Sequence, residues 1–325
     1  MVKIKIISFL FFLSFFFLPL FTHEVFAVYA PTVDVYRLTS GFYREDWPVI
    51  HKDTILWIDS RDGGTVYAYN IKEQREFPFF PAGLPLKNLY GLVGYDGRHI
   101  VYISLSDTNS YDARLYDVLK GEDVAITDEP GSQFASDFDK DTIVYIDGGA
   151  CGKLFTYDLR SKNKKLLTET VCGQAKISKD VVVWTYGSNI YGYDLRKDEM
   201  FLITNNGGHP DIYKDNVVWL SREGDFTEVH LKNLNTDKTK ILYRTADYGM
   251  TYPAISDRYV IWGKTTSQHV AGVEGIDLIT GEVFEIQEQG PHQNGVISPT
   301  IDGNVAAWMA WRTGNGDIYG AVIKR

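Results

Sequence analysis

Few side chains able to do chemistry are grouped along this sequence. Two cysteines stand at Cys151 and Cys172, and histidines fall at His51, His99, His209, His230, His269 and His292, beyond an early His23. There is no HExxH pair, no GxSxG elbow, no phosphate-binding glycine loop and no EF-hand loop. Zinc hydrolysis, serine-nucleophile chemistry and phosphoryl transfer therefore lack the local patterns they need. One acidic pattern does recur, in short turns such as His51-Lys52-Asp53 and Asp302-Gly303-Asn304. Aspartate in a turn hydrogen-bonds nearby backbone, so these positions read as turn formers. No metal and no other cofactor is expected.

The elements that position these residues begin after a segment of different composition. Lys3 and Lys5 precede an apolar run from Ile6 to Phe21, and Val25-Phe26-Ala27 offers small or short residues at a cleavage site. That run is shorter than the ~20 residues a membrane span needs. Residues 1–27 are thus predicted to be a signal peptide, with an uncleaved anchor as the alternative. Residues 28–325 are predicted to form a single exported domain, periplasmic or extracellular and cell-surface. Removing Lys3, Lys5 and Glu24 moves the net charge from −9 to −10. An acidic chain repels polyphosphate, so nucleic acid is not an expected partner, nor is membrane insertion after cleavage.

Seven β-rich runs end in an aromatic marker: Trp57, Tyr102, Tyr145, Trp184, Trp219, Trp262 and Trp308. Their spacings are 45, 43, 39, 35, 43 and 46 residues. Each marker follows a turn and precedes a second alternating strand, such as IYGYDL at 190–195. Six units add a further strand, and a short leading strand comes before each turn. Four short strands in about 40 residues is the spacing of a propeller blade. The seventh unit runs out at Arg325 without its last strand, and residues 33–39 (VDVYRLT) resemble that missing strand. The predicted fold is all-β: a seven-bladed β-propeller with four strands per blade, its ring closed by 33–39.

Pro299-Thr300-Ile301-Asp302-Gly303 through Trp308, then Gly314 to Tyr319, resembles the repeat of TolB-like (WD40-like) propellers. So do the units at Tyr157-Asp158-Leu159 and Tyr193-Asp194-Leu195. The resemblance covers essentially residues 33–325, without the N-terminal α/β domain of the Tol-system protein. It is specific for architecture and weak for function, because such repeats serve colicin tolerance, peptidases, sugar cleavage and surface binding alike.

In that topology the loops entering each inner strand share a face with the loops joining second to third strands. Cys151 and Cys172 then lie near each other, and an even count in an exported chain predicts a Cys151–Cys172 disulfide. Nine residues before each marker stand Pro48, Val93, Ser136, Ala175, Pro210, Pro253 and Pro299, read as the beginnings of the inner strands. The residues just before them, Trp47, Leu92, Ala135, Gln174, His209, Tyr252 and Ser298, are predicted to surround one mouth of the channel. Trp47, Tyr252 and His209, with Gln174, Asp46 and His292 beside them, combine flat rings with hydrogen-bonding groups, as sugar- and peptide-binding surfaces do. The alternative is that the aromatics only plug the mouth. The expected function is non-catalytic binding of a protein or glycan ligand at this face by a monomer. A carbohydrate-active enzyme such as a polysaccharide lyase is the runner-up.

Overall fold

The computed structural model describes residues 30–325 apart from 40–42, 44, 62–63, 107, 150, 267–270, 288–293 and 312–315. Its strands form seven four-stranded antiparallel sheets, with no α-helix among the described residues. Blades 1 to 6 cover 45–78, 89–125, 133–172, 175–204, 208–245 and 248–287. Blade 7 takes three strands from 294–324 and its outermost strand, Thr32–Arg37, from the other end of the chain. Thr32 pairs opposite Lys324 and Arg37 opposite Tyr319. The Leu38 N–H extends the seam by donating to the Ile318 carbonyl at 2.9 Å. The expected closure of the ring is present, beginning one residue earlier than the sequence pattern placed it.

The repeat has a physical cause in each part. The markers Trp57, Tyr102, Tyr145, Trp184, Trp219, Trp262 and Trp308 are all fully or nearly fully buried. In five blades the marker is in register with a third-strand ring: Trp57 with Tyr67, Tyr145 with Phe155, Trp184 with Tyr191, Trp219 with His230 and Trp308 with Tyr319. All five pairs stack, with centroids 5.2 to 6.3 Å apart. A single blade cannot cover both of its apolar faces, and neighbours do so. Accordingly the core is seven apolar clusters among the described residues, one between each pair of adjacent blades.

The turns are built as regularly. In every blade the N–H of an apolar residue at or just past the end of the third strand donates to a carbonyl in the turn between first and second strands, at 2.7 to 2.9 Å. Leu159 to Asp141, Leu195 to Asp180 and Leu234 to Asp215 are examples. Asp96 accepts the N–H groups of Arg98 and His99 at 2.8 and 2.6 Å, as expected for a turn former. Other turn residues reach across blades instead: Asp302 accepts the Lys52 N–H at 2.7 Å, and Ser178 accepts that of Lys214 at 2.8 Å. The repeated polar turns thus stitch the ring together.

Candidate ligand-binding face

In an antiparallel four-stranded blade, the start of the first strand, the hairpin from second to third, and the end of the fourth share one face. The first strands reach this face through a shared irregularity. Asp46 pairs with Ile58 but Val49 with Leu56, so Trp47 and Pro48 together oppose the single residue Trp57. The same slip places His209-Pro210 opposite Trp219 and Tyr252-Pro253 opposite Trp262. These are β-bulges, where one residue leaves the ladder. Proline suits the position because it has no N–H to leave unpaired. The sequence reading began the inner strand at each proline. The structure runs the strand of blade 1 from Glu45 and sets the proline inside it.

Trp47, His209 and Tyr252 sit in these bulges with φ of 57°, 55° and 37°. A left-handed backbone costs an L-residue about 1–2 kcal/mol, and glycine or asparagine would adopt it more cheaply. Leu92 and Ala135, at the equivalent bulges of blades 2 and 3, have no positive φ. The propeller therefore does not demand this conformation at every blade. It occurs where the residue is Trp, His or Tyr.

The structure divides the predicted mouth residues into two groups. The Trp47 indole lies on Gly91, where an added Cβ would stand 3.3 Å from the ring, so the missing side chain is its seat. Its outer part is 39 % exposed. Trp47 then meets Tyr90 at 6.3 Å, Tyr90 meets Tyr111 at 4.7 Å, and Tyr111 meets Phe134 at 4.6 Å. This row of rings crosses blades 1 to 3. On blades 5 and 6, His209 and Tyr252 pack edge to face at 4.6 Å. Burial lowers the His209 pKa, so the imidazole is neutral near pH 7. Gln174 is exposed in the connection from blade 3 to blade 4. Asp46 is largely buried and already engaged within the protein. His292 lies outside the described residues. Cys151 and Cys172 are register partners in blade 3 and form the expected disulfide, with Cys172 ending the fourth strand rather than standing in the loop beyond it.

Tyr90, Tyr111 and Phe134 were not singled out from the sequence. They start strands in blades 2 and 3, so only an alignment of strand starts as well as markers brings them together. Also unforeseen is a cavity of 360 Å³ beside His209, between blades 4, 5 and 6. Its walls include Asn206, Gly208, Leu220, Ser221, Arg222 and Met250. Behind it, Ser221 Oγ lies 2.8 Å and Glu228 Oε2 2.9 Å from the same nitrogen, His230 Nε2. A nucleophilic triad needs the acid on the opposite ring nitrogen, so that Nε2 is free to take the hydroxyl proton. This trio is a buried brace, completed by the Trp219 indole stacked on His230 and by Arg244 at 3.3 Å from Glu228.

Two residues below the mouth positions, the channel wall has charge on three successive blades: Asp137, Lys176 and Asp211. The equivalents Val49, Gly94, Ala254 and Thr300 are uncharged. Asp137 accepts the Ile177 N–H and Asp211 the Ile255 N–H, both at 2.9 Å, so each ties its blade to the next. Burial pushes the Asp137 pKa up to about 6 against the pull of Lys176, and raises Asp211 likewise. Burial opposes the Lys176 charge, but the two carboxylates outweigh it and its pKa stands above the ordinary lysine value.

No protein-family model matches this chain, and no curated protein does. Solved structures do. An oligogalacturonate lyase in complex with manganese superposes with a TM-score of 0.65 at 10 % identity, covering 91 % of this chain and 97 % of that one. The propeller domain of the Trilobed protease from Pyrococcus furiosus gives 0.65 at 10 % identity, covering 86 % and 95 %. TolB from Acinetobacter baumannii gives 0.49 at 13 % identity, covering 87 % and 79 %. This chain is a seven-bladed β-propeller. At such identities the likeness establishes the fold alone, and the site must be argued from its own residues.

Proposed function

We propose that this chain is an exported, non-catalytic TolB-like propeller that holds a protein or glycan ligand on its loop face at the channel mouth. The observation that carries this reading is the set of left-handed aromatic bulges at Trp47, His209 and Tyr252. Strain kept at a partly exposed ring, where smaller residues would relieve it, is a feature of binding and switching sites. The geometry favours a protein segment over a glycan. Tyr90 and Tyr111 meet at 61° and His209 and Tyr252 at 72°, so these rings brace one another instead of offering parallel platforms to successive sugars. Exposed Trp47, Tyr90 and Tyr252 are anchors of the kind that dominate protein interfaces. The disulfide is consistent with an oxidising compartment.

The test is retention of an envelope or culture-medium fraction on wild-type protein and on the Trp47→Ala and Tyr252→Ala variants. Retained material should be destroyed by protease, survive glycosidase treatment, and be lost with either variant while thermal unfolding stays unchanged. Retention indifferent to both variants refutes the mouth as the site. The rival reading, carbohydrate cleavage, draws on the fold shared with oligogalacturonate lyases. Among the described residues no three His, Cys, Asp or Glu side chains are grouped to hold a metal ion. Metal-dependent release of unsaturated sugars from an acidic polysaccharide would replace the binding reading.

A further inference from the structure

The cavity beside His209 is chemically unlike the mouth. None of its lining residues is Trp, Tyr or Phe, and its apolar side chains are Leu220 and Met250, core residues that show only their edges to the cavity. Around these stand the hydroxyls of Ser188, Ser221 and Thr227 and the amide of Asn206. Ser188 Oγ and Thr227 Oγ1 make no hydrogen bond among the described residues. Asn206 Nδ2 makes only a long 3.4 Å contact with Glu223. One wall residue is a cation, Arg222. Every other internal arginine among the described residues lies within ion-pair distance of a carboxylate. Arg222 does not; its Nε donates to the Gly224 carbonyl at 3.3 Å, and its terminal nitrogens are left for another acceptor.

Arg222 is exposed at the rim, where its terminal nitrogens face solvent and no carboxylate lies within ion-pair distance, although Glu223 stands on the far side of Asn206. In a chain of net charge −9 that makes it the open cationic fork of this cavity. His209 adds hydrogen bonding, and partial desolvation lowers its pKa, which disfavours a second positive charge there. One fixed positive charge matches a monoanion better than a phosphate. The planar fork of arginine fits the two oxygens of a carboxylate, and Leu220 and Met250 suit an aliphatic group attached near it. A sugar acid would find no Trp, Tyr or Phe in the lining to stack on.

We propose that this cavity is a binding site for the terminal carboxylate of a peptide whose last side chain is apolar. The carboxylate pairs with Arg222 at the rim and the side chain lies against Leu220 and Met250. The preceding residue is then directed along His209 toward Tyr252, in line with the mouth. This deepens the reading of the loop face as a protein-binding surface and rests on it.

The experiment uses the full-length exported protein and short acetylated dipeptides ending in leucine, observed by ligand-detected NMR and titration. The free acid is expected to bind, its C-terminal amide to bind at least tenfold more weakly, and Arg222→Gln to lose the same factor for the acid. Arg222→Lys, which keeps the charge but not the fork, should fall between. Arg75→Gln, on the outer strand of blade 1, serves as the remote control and should change nothing. Equal binding of acid and amide, indifference to Arg222→Gln, or no binding of the acid overturns the proposal. Arg222-dependent binding of glucuronate in preference to the dipeptide overturns it as well. The short peptide reports on the cavity, whereas the mouth is read with macromolecular ligand and Trp47→Ala, so either can fail alone.

Discussion

Glu45 sits where the ring closes, and its ionisation should weaken the closure. It begins the first strand of blade 1 and is 1 % exposed, with the fully buried carboxylates Asp59 and Asp317 beside it. The closing strand reaches this cluster twice. Arg37 pairs with Asp317 at 2.8 Å, and the Thr39 hydroxyl accepts the Ile318 N–H at 2.9 Å and hydrogen-bonds Glu45. Burial first, then Asp59 and Asp317, push the Glu45 pKa from 4.5 up to about 7; Arg61 and Thr39 pull the other way. Below pH 4.5 the group is neutral in both folded and unfolded chains and contributes no penalty. As pH rises, the unfolded chain ionises first, so stability falls until the folded-state pKa is passed. The 2.5-unit difference amounts to about 3 kcal/mol lost between pH 4.5 and 7. A chain of this size gains about 0.6 kcal/mol per kelvin in unfolding entropy, so the loss is about 5 °C in Tm. Glu45→Gln mimics the protonated side chain and should match wild type at pH 4.5 while exceeding it by that amount at pH 8. The assay is urea or thermal unfolding of both proteins across this range, taking the difference curve so that other titrating groups cancel. A difference that is flat with pH refutes the argument.

Removing the disulfide with Cys151→Ser and Cys172→Ser releases a closed loop of 21-residue separation, and chain-entropy arguments put the loss at about 3 kcal/mol; denaturant unfolding under non-reducing conditions checks it. Lys176→Met leaves Asp137 and Asp211 without their cation and should cost about 3 kcal/mol at pH 8. Because the Asp137 pKa is already pushed up to about 6, that cost should shrink at pH 5, where the carboxyl is protonated; parallel melts at the two pH values decide. Tyr252→Gly relieves the left-handed backbone but loses the edge-to-face contact with His209, each worth about 1 kcal/mol, so Tm should hold within about 2 °C while ligand retention disappears.

The architecture was legible because its determinants are periodic. The markers recur because each must fill the same space between two blades, and residues 33–39 betrayed the closure because an outer strand has the same alternation wherever it lies in the chain. The bulges were not legible. Trp47-Pro48 reads as a strand start, since proline is common there, and nothing local says that Glu45 and Asp46 already pair with Asp59 and Ile58. Nor could the row from Trp47 to Phe134 be read: its rings come from four strands in three blades, and their meeting depends on the rotation between blades. Arg222 looks like any arginine in a hairpin. What marks it is the lack of a carboxylate partner, which only three-dimensional neighbours can reveal.

The repeat offers an internal control for assigning roles. Seven copies of one backbone position hold Trp47, Leu92, Ala135, Gln174, His209, Tyr252 and Ser298, and two residues on hold Val49, Gly94, Asp137, Lys176, Asp211, Ala254 and Thr300. Where the copies agree, as in the buried aromatic markers, the fold itself sets the kind of residue, and the recurring turn carbonyls need only a backbone. Where equivalent places in the ladder hold different side chains, and even different backbone angles, the fold is satisfied by several choices and does not by itself dictate any one of them. Ala135 shows that a bulge needs no ring, and Val49 that the channel wall needs no charge. The aromatics at Trp47, His209 and Tyr252 and the charges on blades 3 to 5 therefore answer to something other than the ring's stability. The mouth and the cavity beside it are where that answer should be sought.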